Sequence, residues 1–165
     1  MFDPETVALA TSVLATCRAR GWHLATAESC TGGLVAAALT AIAGSSDVVD
    51  RGFVTYSNEA KQAMLGVPAS TLKRYGAVSA QTARAMAAGA LKNSLADVTV
   101  AITGIAGPGG GSKAKPVGLV HFAVARRDGR AESVVKHYGN IGRARVRERS
   151  VVQALTLLEK LAKAK

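Results

Sequence analysis

Val98 to Thr103 is a run of almost wholly apolar residues, short enough for a strand and bounded at its far end by Gly104. A strand that is apolar on both of its faces must be covered on both faces, so it belongs in the middle of a sheet with a layer of helices on each side. Any fold proposed for this chain has to build those two layers.

The flanking segments supply them. Val7, Leu9, Ala10, Val13, Leu14 and Cys17 recur at helical spacing between Pro4 and Arg20, and Gly21 stands where a helix stops. Trp22 to Ala27 reads as a strand, Leu34 to Ala43 as a helix, and Val48 to Tyr56 as another strand. Asn58 to Leu65 forms a short helix capped by Ser57 or Asn58 and ended by Gly66 to Pro68, and Ser79 caps a helix from Ala80 to Leu91. Beyond the central strand, Gly104 to Pro116 is too rich in glycine for a regular element and is expected to be a loop with a role in enclosing a ligand. Val117 to Ala125 and Glu132 to Tyr138 flank Asp128-Gly129 and predict an antiparallel hairpin, after which Arg143 to Leu161 closes the chain as an amphipathic helix. The sum is a single α/β domain over residues 1–165, a three-layer α/β/α sandwich on a mixed, mostly parallel sheet.

Composition narrows the function classes. The absence of an apolar stretch of membrane-spanning length or a signal pattern predicts a cytoplasmic protein, and Cys17 and Cys30, with no disulfide or metal-site spacing, fit a reducing compartment. A net charge of +10 raises nucleic acid as a partner, but aromatics at 4% are too few for stacking platforms. Solvated basic faces and an anionic small substrate explain the charge, so nucleic acid is not the expected partner.

Chemistry concentrates where the first strand meets its helix. Glu28, Ser29, Cys30 and Thr31 place one acid and three nucleophile candidates in succession, and Gly32 and Gly33 allow close approach to backbone N–H groups suited to an oxyanion. A plain structural reading competes: Ser29 or Thr31 capping the helix is worth ~1 kcal/mol and needs no catalysis. Ser29 requires a base. None of His23, His121 and His137 sits in a motif suggesting a Ser-His-Asp arrangement, whereas Lys61, after Tyr56-Ser57-Asn58 at a strand end, could lose its proton if desolvated. Most lysines are solvated. Ser57 is a rival nucleophile four residues before Lys61, and Cys30 another, since a thiol at a helix N-terminus has a lowered pKa. On spacing alone these alternatives stay open.

Four motifs resemble one family. Ala27 to Gly33 (AESCTGG), Tyr56 to Lys61 (YSNEAK), Gly76 to Ser79 (GAVS) and Thr103 to Gly110 (TGIAGPGG) are similar, in order and spacing from Thr6 to Leu158, to the C-terminal domain of the CinA competence/damage-inducible family. That family includes PncC-like nicotinamide-nucleotide amidases, which convert nicotinamide mononucleotide to nicotinic acid mononucleotide and ammonia. The resemblance implies Ser29 as nucleophile, Lys61 as general base and Tyr56 as an aid to proton transfer or orientation. It further implies an oxyanion held by amides near Thr31 to Gly33, a substrate phosphate held by Arg143, and no metal or cofactor. Contacts to the nucleotide are expected from Glu28, Cys30, Thr31, Gly32, Gly33, Asn58, Thr103, Gly104 and Arg143. A homodimer is a possible assembly. Many members carry a further N-terminal domain resembling molybdopterin-binding proteins, and no pyrophosphatase activity of that domain is expected here. The alternative is a nucleotide-binding or regulatory module of the same family without turnover.

Overall fold

A computed structural model describes residues 1–165. The chain runs α1 (Pro4–Ala19), β1 (Leu24–Glu28), α2 (Leu34–Thr40), a short 3₁₀ turn (Ser45–Asp47), β2 (Val49–Val54), α3 (Asn58–Leu65), α4 (Ala69–Tyr75), α5 (Ala80–Lys92), β3 (Val98–Gly104), β4 (Leu119–Arg126), β5 (Ala131–His137) and α6 (Arg143–Lys163).

The five strands form one sheet in the order β2-β1-β3-β4-β5. β2, β1 and β3 are parallel, while β3, β4 and β5 pair antiparallel in turn, which makes the predicted mixed sheet. β3 is its central strand. Alternate side chains of a strand face opposite ways, and here the two faces differ in size. Leu24, Val98, Val100, Ile102, Val120, Phe122 and Val124 pack with α1, α2 and α6 on one face. Ala25, Ala27, Ala101, Ala123 and Ala125 pack with α3, α4 and α5 on the other. The alanine face lets helices approach closely: a Cβ placed on Gly89 of α5 would lie 2.0 Å from the Leu65 carbonyl oxygen at the end of α3.

Three departures from the sequence expectation have local causes. α4 follows Pro68, where only a terminator is legible, because its single buried side chain is Leu72 and no apolar stripe announces it. β1 begins at Leu24 because the Trp22 N–H turns back to the Cys17 carbonyl to close α1. α2 ends at Thr40 instead of Ala43, where the Ile42 N–H bonds the Leu39 carbonyl and tightens the last turn.

Part of the basic excess is structural. Arg126, buried in β4, donates to the Leu161 and Ala164 carbonyls at the end of α6 at 3.2 and 2.8 Å, and Arg127 donates to the Leu91 carbonyl at the end of α5 at 3.0 Å. Cations there complement the negative ends of the helices. No helix is long and apolar enough to cross a membrane.

Candidate active site

β1 ends at Glu28, and the chain then makes a tight turn in which the Gly32 N–H donates to the Ser29 carbonyl at 3.0 Å. Gly32 and Gly33 hold φ values of +59° and +97°, the left-handed region that glycine enters without a Cβ penalty. Ser29 is thereby set at the carboxyl edge of the sheet, 9% exposed, with its own N–H anchored to the Ile102 carbonyl of β3. Sites in open α/β sheets collect at such edges.

The amine arrives from the neighbouring corner. β2 lies beside β1, and the Thr55 N–H just beyond it bonds the Glu28 carbonyl at 2.8 Å. Ser57 then caps α3 by accepting from the Ala60 N–H, and one turn into that helix Lys61 points inward. Its Nζ lies 3.1 Å from Ser29 Oγ and 2.9 Å from the Thr55 carbonyl oxygen. Lys61 is 1% exposed with no carboxylate in ion-pair distance, and desolvation lowers its pKa below the ordinary 10.5, with a smaller opposing effect from Cys30. A solvated lysine is not what the fold contains.

The rival nucleophiles separate. Ser57 is exposed and occupied as a helix cap. Cys30 belongs to the core beside α6, and burial pushes its thiol up to about 12, the reverse of the lowering expected at a helix start.

Several expected substrate contacts sit below the surface. Glu28 is fully buried, and its carboxylate accepts from the N–H groups of Gly33, Val35 and Ala36 at 3.0, 3.1 and 2.9 Å and from the Thr26 hydroxyl at 3.1 Å. Its work is to cap α2. Thr103 is 1% exposed and its hydroxyl donates to the Ala77 carbonyl, tying β3 to the segment before α5. Gly104 is close-packed, since a Cβ there would lie 2.8 Å from the Leu119 carbonyl oxygen.

The oxyanion donors also move. With the Gly32 N–H bonded to Ser29 and the Gly33 N–H bonded to Glu28, neither remains for a ligand. The N–H groups of Cys30 and Thr31, the two residues that follow Ser29, have no partner within the chain.

Tyr56 and Arg143 meet at the rim. The Arg143 guanidinium donates to the Tyr56 hydroxyl at 2.9 Å and to the Gly107 carbonyl at 3.0 Å, joining the β2–α3 corner to the Gly-rich loop. Tyr56 is 60% exposed and bonds neither Ser29 nor Lys61. Asn58 opens α3 with an exposed side chain. The loop is more than a flexible connection: besides Arg143 on Gly107, Lys115 donates to the Tyr75 carbonyl and the Ile105 N–H to the Leu119 carbonyl. One contributor carried no signal in the sequence, and the other, Arg147, stands out there only as a C-terminal basic position that the family resemblance pairs with Arg143. Thr55 acts through its carbonyl, and Arg147 of α6 donates to the Cys30 and Thr31 carbonyls at 3.2 and 3.1 Å. Backbone acceptors have no residue signature.

The same chain pattern occurs in known proteins. The CinA C-terminal domain model matches residues 6–162. A CinA-like protein of Synechococcus sp. (strain RCC307) is 53% identical over 158 residues, 95% of this chain and 38% of that protein. A nicotinamide-nucleotide amidohydrolase PncC of Enterobacter agglomerans is 57% identical over 122 residues, 74% of each. This chain therefore spans little more than a third of the CinA-like protein's length. Among solved structures, the competence/damage inducible protein CihA from Agrobacterium tumefaciens superposes with a TM-score of 0.96 at 54% identity, covering 98% of both chains. With nearly every element matched in sequence and in space, this α/β/α domain belongs to the CinA C-terminal domain family.

Proposed function

We propose that the chain is an amidase that deamidates nicotinamide mononucleotide to nicotinic acid mononucleotide and ammonia through an acyl-enzyme on Ser29. The observation that carries this reading is the buried Lys61 amine 3.1 Å from the Ser29 hydroxyl. The relative named as a nicotinamide-nucleotide amidohydrolase supports the choice of substrate.

Neutral Lys61 takes the Ser29 Oγ proton as Oγ bonds to the carboxamide carbon. The carbonyl oxygen becomes an oxyanion, and the N–H groups of Cys30 and Thr31 receive it. The Lys61 ammonium returns its proton to the carboxamide nitrogen, the C–N bond breaks and ammonia leaves. Water, giving its proton to Lys61, attacks the ester carbon, and the proton passes back to Ser29 Oγ as the acid departs. Burial is what makes Lys61 fit for the role, because an ammonium in water would hold its proton at neutral pH. Arg143, with its planar fork at the exposed rim, suits the substrate phosphate, and Tyr56 orients that arginine instead of carrying a proton.

The test is ammonia release from nicotinamide mononucleotide by the purified chain and by Ser29→Ala, Lys61→Ala and Cys30→Ala. The wild type and Cys30→Ala should turn over while the other two do not. Binding of the nucleotide without ammonia release would turn the reading into that of a binding module.

A further inference from the structure

Arg147 stands one helical turn beyond Arg143 on α6, half-buried, and no carboxylate lies within ion-pair distance of it. Its partners are two carbonyls of the same turn. Nε donates to the Cys30 oxygen at 3.2 Å and Nη2 to the Thr31 oxygen at 3.1 Å.

The geometry of the peptide group converts these contacts into an orientation of donors. In a trans peptide the C=O and the following N–H point in opposite directions within one plane. With the Cys30 oxygen held against α6, the Thr31 N–H in that plane points away from α6. With the Thr31 oxygen held there too, the Gly32 N–H turns back, where it meets the Ser29 carbonyl at 3.0 Å. That bond in turn fixes the plane carrying the Cys30 N–H. The two N–H groups left without partners are therefore the two whose planes are held, one by Arg147 directly and one by the bond that Arg147 favours. A cation on a peptide oxygen also polarises the group and strengthens its N–H as a donor.

We infer that Arg147 is a positioning residue of the oxyanion site, aligning and polarising the Thr31 N–H through its peptide plane and aligning the Cys30 N–H through the Gly32-to-Ser29 bond. The inference rests on the acyl-enzyme reading above. It assigns to Arg147 a part in the transition state, when the oxygen gains charge, and none in holding the substrate beforehand.

The experiment compares wild type, Arg147→Ala and Arg147→Lys by three readouts: kcat and KM for nicotinamide mononucleotide, the rate at which a fluorophosphonate labels Ser29, and thermal midpoint. A phosphonyl oxygen gains charge as an acyl oxygen does, so labelling probes the oxyanion donors without reference to the natural substrate. Both variants should lose about 10²-fold in kcat, the size of losing one oxyanion donor, with KM nearly unchanged and labelling slowed in parallel. Arg147→Lys keeps the charge but lacks a planar fork for two adjacent carbonyls, and added guanidinium should restore part of the rate to Arg147→Ala. Wild-type kcat in Arg147→Lys, a loss confined to KM, or undiminished labelling would overturn the inference. If Arg147→Ala does not fold, Arg147→Lys decides. A wild type that labels but releases no ammonia removes the substrate reading and leaves labelling to judge Arg147. A wild type that does neither overturns both.

Discussion

Lys61 Nζ and Ser29 Oγ lie 3.1 Å apart although the residues are 32 positions apart in the chain, and the amine is held there by the Thr55 carbonyl at 2.9 Å. β1 and β2 are adjacent and parallel, so both of their carboxyl ends open on the same edge, and one side chain from each junction suffices to build the pair. Groups that act as one unit lose function together. Ser29→Ala and Lys61→Ala should each cut kcat by about 10³-fold or more, and the double variant should be no worse than the poorer single one, as ammonia release under saturating substrate will show. Additive losses would mean that the two residues act in separate steps.

The burial of Lys61 fixes the direction of the pH dependence. Its pKa is lowered from 10.5 by desolvation, and only the neutral amine can accept the Ser29 proton. Activity should therefore rise with pH as Lys61 loses its proton, with a midpoint below 10.5, and the rising limb of kcat/KM should carry that group. A pH–rate profile that falls across this range, or rises only at the ordinary lysine value, contradicts the role.

The same desolvation acts on stability with its own sign. The folded state favours neutral Lys61, so below 10.5 the unfolded chain binds more protons at this site and folding is penalised. The penalty grows as pH falls from 10.5 towards the lowered folded value and is constant beneath it. Lys61→Met, which keeps the length without the charge, should raise the thermal midpoint at pH 7 while abolishing turnover, and its advantage should shrink as pH approaches 10.5. A lower midpoint for the methionine variant at pH 7 would show that the bonds to Ser29 and Thr55 outweigh the desolvation.

What the sequence made legible follows from what leaves a residue signature. The β3 run and the strand, turn and helix around Ser29 are written in side chains, through unbroken apolar runs and glycines at positive φ, and the fold class follows from them. Ser29 and Lys61 could be named as candidates because a hydroxyl and an amine are chemical groups, but their distance depends on strand order. Glu28 is an acid beside a glycine turn, which looks the same in sequence whether it faces a ligand or accepts from the helix behind it, as its carboxylate does here. α4 was missed because its one buried residue, Leu72, makes no periodic pattern. Arg147 carried no assignable role, since its partners are backbone oxygens that any sequence would supply.

Close packing on the alanine face yields a prediction independent of function. A Cβ on Gly89 would fall 2.0 Å from the Leu65 carbonyl oxygen and 3.0 Å from the Leu65 Cβ, and a backbone atom cannot yield as a flexible side chain would. Gly89→Ala gains helix propensity of about 1 kcal/mol, yet the overlap should outweigh it and destabilise the fold by about 1 to 3 kcal/mol net. Urea denaturation should show the midpoint falling with an unchanged m-value. A stabilised variant would mean that α3 and α5 can separate freely.

Glu28 offers the sharpest link between fold and site. Its carboxylate faces only donors, with Gly33 and Val35 N–H on one oxygen and Ala36 N–H and the Thr26 hydroxyl on the other. Glu28→Gln keeps the shape but turns one oxygen into an NH₂, and either way round that group confronts a backbone N–H at hydrogen-bond distance. The variant thus loses acceptors for buried donors and the negative charge at the start of α2, at a cost of about 2 to 4 kcal/mol. For a domain of this size that corresponds to a fall of about 5 to 15 °C in thermal midpoint. Because Gly33 adjoins the turn that carries the free N–H groups, kcat should fall as well, at temperatures where the variant is still folded. Glu28→Asp keeps the charge but sits one methylene short, and should lie between the two in both respects. An unchanged midpoint in Glu28→Gln would show that α2 stands without its cap, and the turn at Ser29 would then need another support.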